Sequence, residues 1–291
     1  MSPSVWDAAV IAGKTITYAA TLGAAGAVFF LKACGEFVPG AERLSIRNIV
    51  RSMAVVSVLA GGAQILATAG SMSGDAAGML DGSLINMVWQ TGAGRVNAIR
   101  VLGLALAALT VLSARFSGLA FLGAVMAATS FAWSGHARIL DAHALPILLL
   151  TVHLLGVAFW VGALLPLLVV ARSGDVPRIA GAAACFGRAA MFVVAGLVAA
   201  GLGLLWMMLG GVAQLWGSAY GRFVLLKLSI VAALLCVAAV NKLQLTPRLL
   251  AGDVRAVRSL RASIRLELFL AASILAVTAT FTTVAGPPAL N

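Results

Sequence analysis

The sequence predicts an all-α integral membrane protein, a bundle of about eight transmembrane helices with both termini periplasmic. Three observations carry that prediction. Of 291 residues, 62% are hydrophobic and only 10% charged, whereas charged residues make up about a quarter of an ordinary soluble domain. Mean hydropathy is +1.06. Apolar runs long enough to cross a hydrocarbon layer, about 20 residues each, recur along the whole chain, and the basic residues fall mostly in every second connection.

The predicted spans are 9–32, 50–70, 97–114, 117–134, 144–170, 189–210, 223–244 and 264–285. The longest connection is about two dozen residues, too short for a soluble catalytic or nucleotide-binding domain, so the chain reads as one transmembrane domain over 1–291. The net charge of +11 would suggest nucleic acid in a soluble protein, but here it reports orientation, and no nucleic-acid partner is expected. Fourteen of the twenty Lys and Arg collect in 32–51, 115, 172–188 and 242–265. The excess of positive charge in cytoplasmic loops then places those connections inside. Trp6, Trp89, Trp133, Trp206 and Trp216 fall near the opposite helix ends, where an amphipathic ring favours the interface. The localisation that follows is a bacterial inner membrane, with membrane lipid around the bundle.

The first span has no basic residue before Lys14 and therefore lacks the charged leader of a signal peptide. Lys14 is expected to snorkel to the headgroups. After the second span comes the longest outer connection, SMSGDAAGMLDGSLINMVWQTGAGR, with Met72, Met79, Met87, Asp75 and Asp81. Its stretch from Leu80 to Gln90 reads as a short interfacial helix, with Leu84, Ile85, Met87, Val88 and Trp89 toward lipid. Thioether sulfur is a soft ligand suited to Cu(I), and it is also ordinary core filling. Arg100 lies about one turn inside the third span and needs a partner or a wet cavity. Asp75, Asp81 and Asp141 are the candidates.

All three histidines, His136, His143 and His153, stand within the stretch SGHARILDAHALPILLLTVHLLGVAFWVGALLPL from Ser134 to Leu167. His136 and His143 occupy a short polar connection at the outer mouth, where Asp141 is placed to cap the fifth span. His153 is ten residues further on, about 15 Å deeper at 1.5 Å per residue. An ionisable group at that depth is a functional-site hypothesis by default; its alternative is a hydrogen bond to a neighbouring helix. Trp160, seven residues beyond, shares its face. The candidate metal ligands are thus His136, His143 and His153, with Met72 and Met79 as outer soft ligands. The cysteines Cys34, Cys185 and Cys236 fall toward the inner side, where thiols are kept reduced, and no disulfide is expected. In the basic stretch NKLQLTPRLLAGDVRAVRSLRASIR, read as an inner loop, Glu267 lies just beyond the end and is expected to pair with Arg265 or Lys242.

The chain has no phosphate loop, no CxxC pair and no HExxH, so it is read as a non-enzyme without a nucleotide-driven pump. A haem held between two helices requires two facing transmembrane histidines, and only His153 is embedded, which counts against a multi-haem cytochrome. The segment HLLGVAFWVGALLPL from His153 to Leu167 resembles the CopD copper-resistance family of bacterial inner-membrane proteins. YGRFVLLK from Tyr220, NKLQLTPRL from Asn241, TGAGRVNAIR ending at Arg100 and the pair Gly135-His136 support the resemblance. Gly162-Ala163 departs from a usual Gly-Gly after the tryptophan. The resemblance implies a copper permease working with a periplasmic copper-binding protein of the CopC type, carrying copper ions toward the cytoplasm. Two other readings remain: a membrane redox or haem protein using His153 as a ligand, and a non-transporting docking partner for a periplasmic copper chaperone.

Overall fold

The computed structural model describes residues 5–109, 113–133, 144–209 and 213–285. Its helices are α1 (Val5–Cys34), α2 (Gly40–Ser73), α3 (Gly82–Gln90), α4 (Gly92–Ala108), α5 (Ser117–Thr129), α6 (Ala144–Gly162), α7 (Leu164–Ala171), α8 (Val176–Leu209), α9 (Gln214–Gly217), α10 (Ala219–Val240), α11 (Thr246–Leu250) and α12 (Val254–Val284). No strand occurs among the described residues. Six helical segments, 5–37, 40–73, 144–171, 176–209, 219–250 and 254–284, are long and apolar enough to cross a membrane. The α4 and α5 helices are shorter and pack against each other.

Successive long helices run antiparallel, so the bundle has two ends. Lys14 on α1 donates to the Thr282 carbonyl at 3.3 Å and to Thr283 Oγ1 at 2.9 Å at the close of α12. The first half of α1 is therefore bonded to the close of α12 at one end of the bundle. The other end carries Lys32, Arg43, Arg47, Arg51, Arg115, Arg172, Arg178 and the arginines that open α12; it is called the basic end below.

The α1 helix is the central post. Its buried face, Ala24, Ala25, Ala27 and Phe30, is fully enclosed, and it packs on α2, α5, α6 and α12. Small side chains let helix backbones approach where hydrophobic burial offers no gain over lipid. At the crossing of α1 and α6 the approach is closest: a Cβ on Gly26 would stand 2.1 Å from the Ala158 carbonyl oxygen.

Two proline effects shape the helices. Pro166 cannot donate to the Gly162 carbonyl and crowds it, and the helix is interrupted at Ala163 between α6 and α7. Pro247 likewise cannot donate to Leu243. There the chain widens into a π turn over Asn241–Leu245, and the Asn241 carbonyl accepts from both Thr246 N–H and Thr246 Oγ1, the latter at 2.8 Å.

The basic stretch read as an inner loop is helical. Only Ala251–Asp253 form a turn, and Asp253 caps α12 by accepting from Arg255 N–H. Ala256, Leu260 and Ile264 are buried at helical spacing while Arg255, Arg258 and Arg265 face outward. The interfacial helix expected from Leu80 to Gln90 is present as α3, with one correction: Val88 is 5% exposed and faces the bundle rather than lipid.

Candidate metal site and the cavities around it

His153 lies halfway along α6 and faces α8. Its Nδ1 is 3.2 Å from the Leu197 carbonyl oxygen. In the tautomer that donates this bond, Nε2 keeps its lone pair for a ligand. Gly201, one turn further along α8, leaves the space the ring fills: a Cβ there would come within 3.3 Å of Nδ1 and Cε1. Lys227 of α10 holds its Nζ 5.8 Å from the centre of the Phe281 ring.

Toward the basic end, on the same side of α6, Trp160 borders a cavity of about 290 Å³ between α6, α7, α8, α10 and α12. Its walls are apolar, with Leu164, Phe186 and Leu235 among them. Its polar patch comes from the π turn and α12: Asn241, Lys242, Thr246 and Glu267. Glu267 is 2% exposed and accepts a hydrogen bond from Asn241 Nδ2. The expectation that Glu267 would form an ion pair with Arg265 or Lys242 is corrected: its bonded partner is an amide. Asn241 Oδ1 is buried without a partner.

Near the opposite end, a smaller cavity of about 90 Å³ is bordered by Lys14, Tyr18, Gln64, Asn97 and Arg100. Arg100 is 7% exposed. Its Nε donates to Ser130 Oγ at 3.3 Å and its guanidinium stacks 4.2 Å from the centre of the Phe131 ring. Asp75 and Asp81 do not serve it. Hydrogen bonds from Gly78 N–H and from Ser73 hold Asp75 below the usual carboxylate range. Ser83, through side chain and backbone, does the same for Asp81 as it caps α3. The third candidate, Asp141, lies outside the described residues, as do His136 and His143. Lys14 is half-buried and bonded to α12 instead of reaching for headgroups.

Residues 180–281 match the family described as Copper resistance protein D, and residues 5–145 match Copper resistance protein D-like, N-terminal domain. The chain belongs to the copper resistance protein D family. No curated protein and no solved structure matches it. Family membership and the six long apolar helices make it a multi-pass copper-resistance membrane protein.

For a member of the copper resistance protein D family, the described residues bring together fewer ligands than the sequence put forward. No group of three or more His, Cys, Asp or Glu suited to a metal ion occurs among them. Met72 is half-exposed at the end of α2. Met79 packs with Trp6 over Gly70, where a Cβ would lie within 2.8 Å of both side chains. Both methionines stand on the side of α1 that carries α2 and α3, whereas His153 faces α8.

The cysteines are the clearest departure from expectation. Cys34 and Cys185 are joined as a disulfide, with Cα atoms 5.9 Å apart. The expectation of three separate thiols rested on the compartment alone and had no information on which helix ends meet. Cys236 is free and exposed on α10. The Cys34–Cys185 pair, Asn241 and the Lys14–Thr283 bond were invisible to sequence reasoning, since each joins residues from different helices.

Proposed function

We propose that this chain is a permease that carries copper ions through the bacterial inner membrane, from the periplasm toward the cytoplasm. In this reading the basic end is cytoplasmic, eight segments cross (the six long helices with α4 and α5), and both termini are periplasmic. The whole chain works as one domain. His136, His143, Met72 and Met79 form the periplasmic entrance, and a periplasmic copper-binding protein of the CopC type delivers the ion there. His153 is the deeper ligand, a role for which imidazole suits both oxidation states of copper.

The observation that carries the proposal is the place of His153: an ionisable ring held on the Leu197 carbonyl beside Gly201, with a separate cavity, bordered by Trp160, nearer the basic end. A polar group maintained at such depth is costly and marks an ion path in membrane proteins. Family membership supports copper as the cargo. Lys227, whose Nζ lies over the Phe281 ring, brings a like charge into the same bundle, and that charge opposes a cation at His153.

Copper accumulation in cells, at matched amounts of membrane-inserted protein, tests the reading. His153→Ala is expected to abolish uptake, and Lys227→Met to strengthen copper retention by purified protein. Uptake by His153→Ala equal to wild type at every copper concentration would reduce His153 to a helix-to-helix contact. A Soret band at stoichiometric haem in the purified protein would replace the permease by the redox reading.

A further inference from the structure

At the basic end of the bundle, the last residue of α1 meets α8. Cys34 is fully buried, and Cys185, half-buried, has its sulfur 3.4 Å from the Ala33 carbonyl oxygen. The meeting is built by neighbouring residues. Gly181, one helical turn before Cys185 and on the same face, receives the Phe37 ring, which would lie 2.4 Å from a Cβ at that position. The three-residue turn Gly35–Phe37 is further fastened by Arg43, whose guanidinium donates to the Gly35 carbonyl. Lys32 and Arg188 are exposed nearby in sequence on α1 and α8. Against these cations, the turn itself contributes Glu36.

We propose that, once reduced, the Cys34–Cys185 pair is a two-coordinate thiolate site for a soft monovalent metal ion, and that it receives copper(I) leaving the bundle; the cargo rests on the permease reading above. Thiolate sulfur selects Cu(I) among the ligands proteins offer. Two cysteines with Cα atoms 5.9 Å apart fit the window of about 4.4–6.8 Å in which side chains can bridge directly. Holding one ion between them requires the sulfurs to separate, by rotation about the side-chain bonds, to roughly 4.5 Å, twice a metal–thiolate bond of about 2.3 Å. The disulfide first takes two electrons from a thiol or phosphine reductant and two protons from that thiol or from water, giving two thiols while the reductant leaves as its own disulfide or as the phosphine oxide. The ion then displaces both thiol protons, leaving a site of net charge −1. Arg43, held on the carbonyl of Gly35 next to Cys34, offsets part of that charge and favours the thiolate form.

The test uses the full-length protein in detergent, titrated anaerobically with Cu(I) against a chromogenic copper(I) chelator. Near-ultraviolet sulfur-to-copper charge transfer and X-ray absorption report the ligands. Phosphine-reduced wild type is expected to take up an ion bound by two sulfurs. The same polypeptide left oxidised should lack that signal and gain it on reduction, a comparison that needs no substitution. Thiol labelling should rise from one group, Cys236, to three. Cys34→Ser and Cys185→Ser should each lose the two-sulfur signal, while His153→Ala keeps it. If reduction fails to expose the pair, or the reduced protein binds no sulfur-ligated copper, or both serine variants retain the signal, the proposal falls. Normal uptake by His153→Ala would sink the permease reading without altering this titration, so the two failures are distinct.

Discussion

At the residue scale, three ionisable groups inside this bundle have neutral hydrogen-bond partners. Arg100 rests on Ser130, Asn97 and Phe131; Lys14 rests on a carbonyl and a hydroxyl; Glu267 accepts from an amide. The pattern fits the expense of charge in hydrocarbon, where every buried ionisable group needs a donor or acceptor fixed in place. Glu267 allows a sharp test. Glu267→Gln keeps the volume and an acceptor oxygen for Asn241 Nδ2 and is expected to unfold in detergent near the wild-type temperature. Glu267→Leu leaves that N–H buried and unpaired, a loss of about 1–3 kcal/mol, and should unfold at a clearly lower temperature. Equal melting of the two variants would show that the amide finds another partner. Arg100 was legible in the sequence as a buried cation, because its position within an apolar run is local information. Its partner was not: Asp75 and Asp81 are engaged by their own loop.

At the element scale, glycine and proline set how the helices meet. Gly26 faces the Ala158 carbonyl and Gly162 across the α1–α6 crossing, where a Cβ would meet backbone atoms at 2.1 and 2.4 Å. Backbone cannot turn aside as a long side chain can. Gly26→Leu is therefore expected to prevent assembly, giving little or no monodisperse protein on size-exclusion chromatography. Gly62→Ala, at a position with nothing within 4 Å of the added carbon, should elute and express as wild type. A well-behaved Gly26→Leu variant would mean that α1 and α6 do not cross as described. The helical form of 254–265 carries a related lesson. Its arginines made it read as a loop, because hydropathy averages over all faces of a segment. Arginine, alanine and leucine are strong helix formers, and the buried Ala256, Leu260 and Ile264 mark the face that a mean hides.

At the scale of the whole molecule, the chain folds back on itself so that the first half of α1 is bonded to the close of α12 and the arginine-rich connections lie at the other end. The excess of basic residues should fix that end in the cytoplasm. Reporter tags after Asn291 or within Ser71 to Gly94 are expected to be accessible from the periplasm of intact cells. A tag within Gly252 to Leu260 should be shielded. The reverse pattern would overturn the orientation and, with it, the direction assigned to copper. Trp89, Trp133, Trp206 and Trp216, all exposed near the end opposite the arginines, occupy the ring positions expected at a membrane surface.

The sequence by itself determined the class of this protein and its family. Apolar length, charge asymmetry and the run from His153 to Leu167 are sums and orders along one chain, readable without knowing which helix touches which. It also named His153, since an imidazole inside an apolar span is conspicuous in one dimension. Only the tertiary structure decided that His153 is held by α8, that Asn241 and Glu267 share a cavity, and that Cys34 and Cys185 meet across 151 positions of sequence. Each of those depends on the rotation of a helix about its axis and on the depth at which two helices cross. These are set by packing between distant small residues such as Gly26 and Gly162, and nearly uniform hydrophobicity carries little record of them.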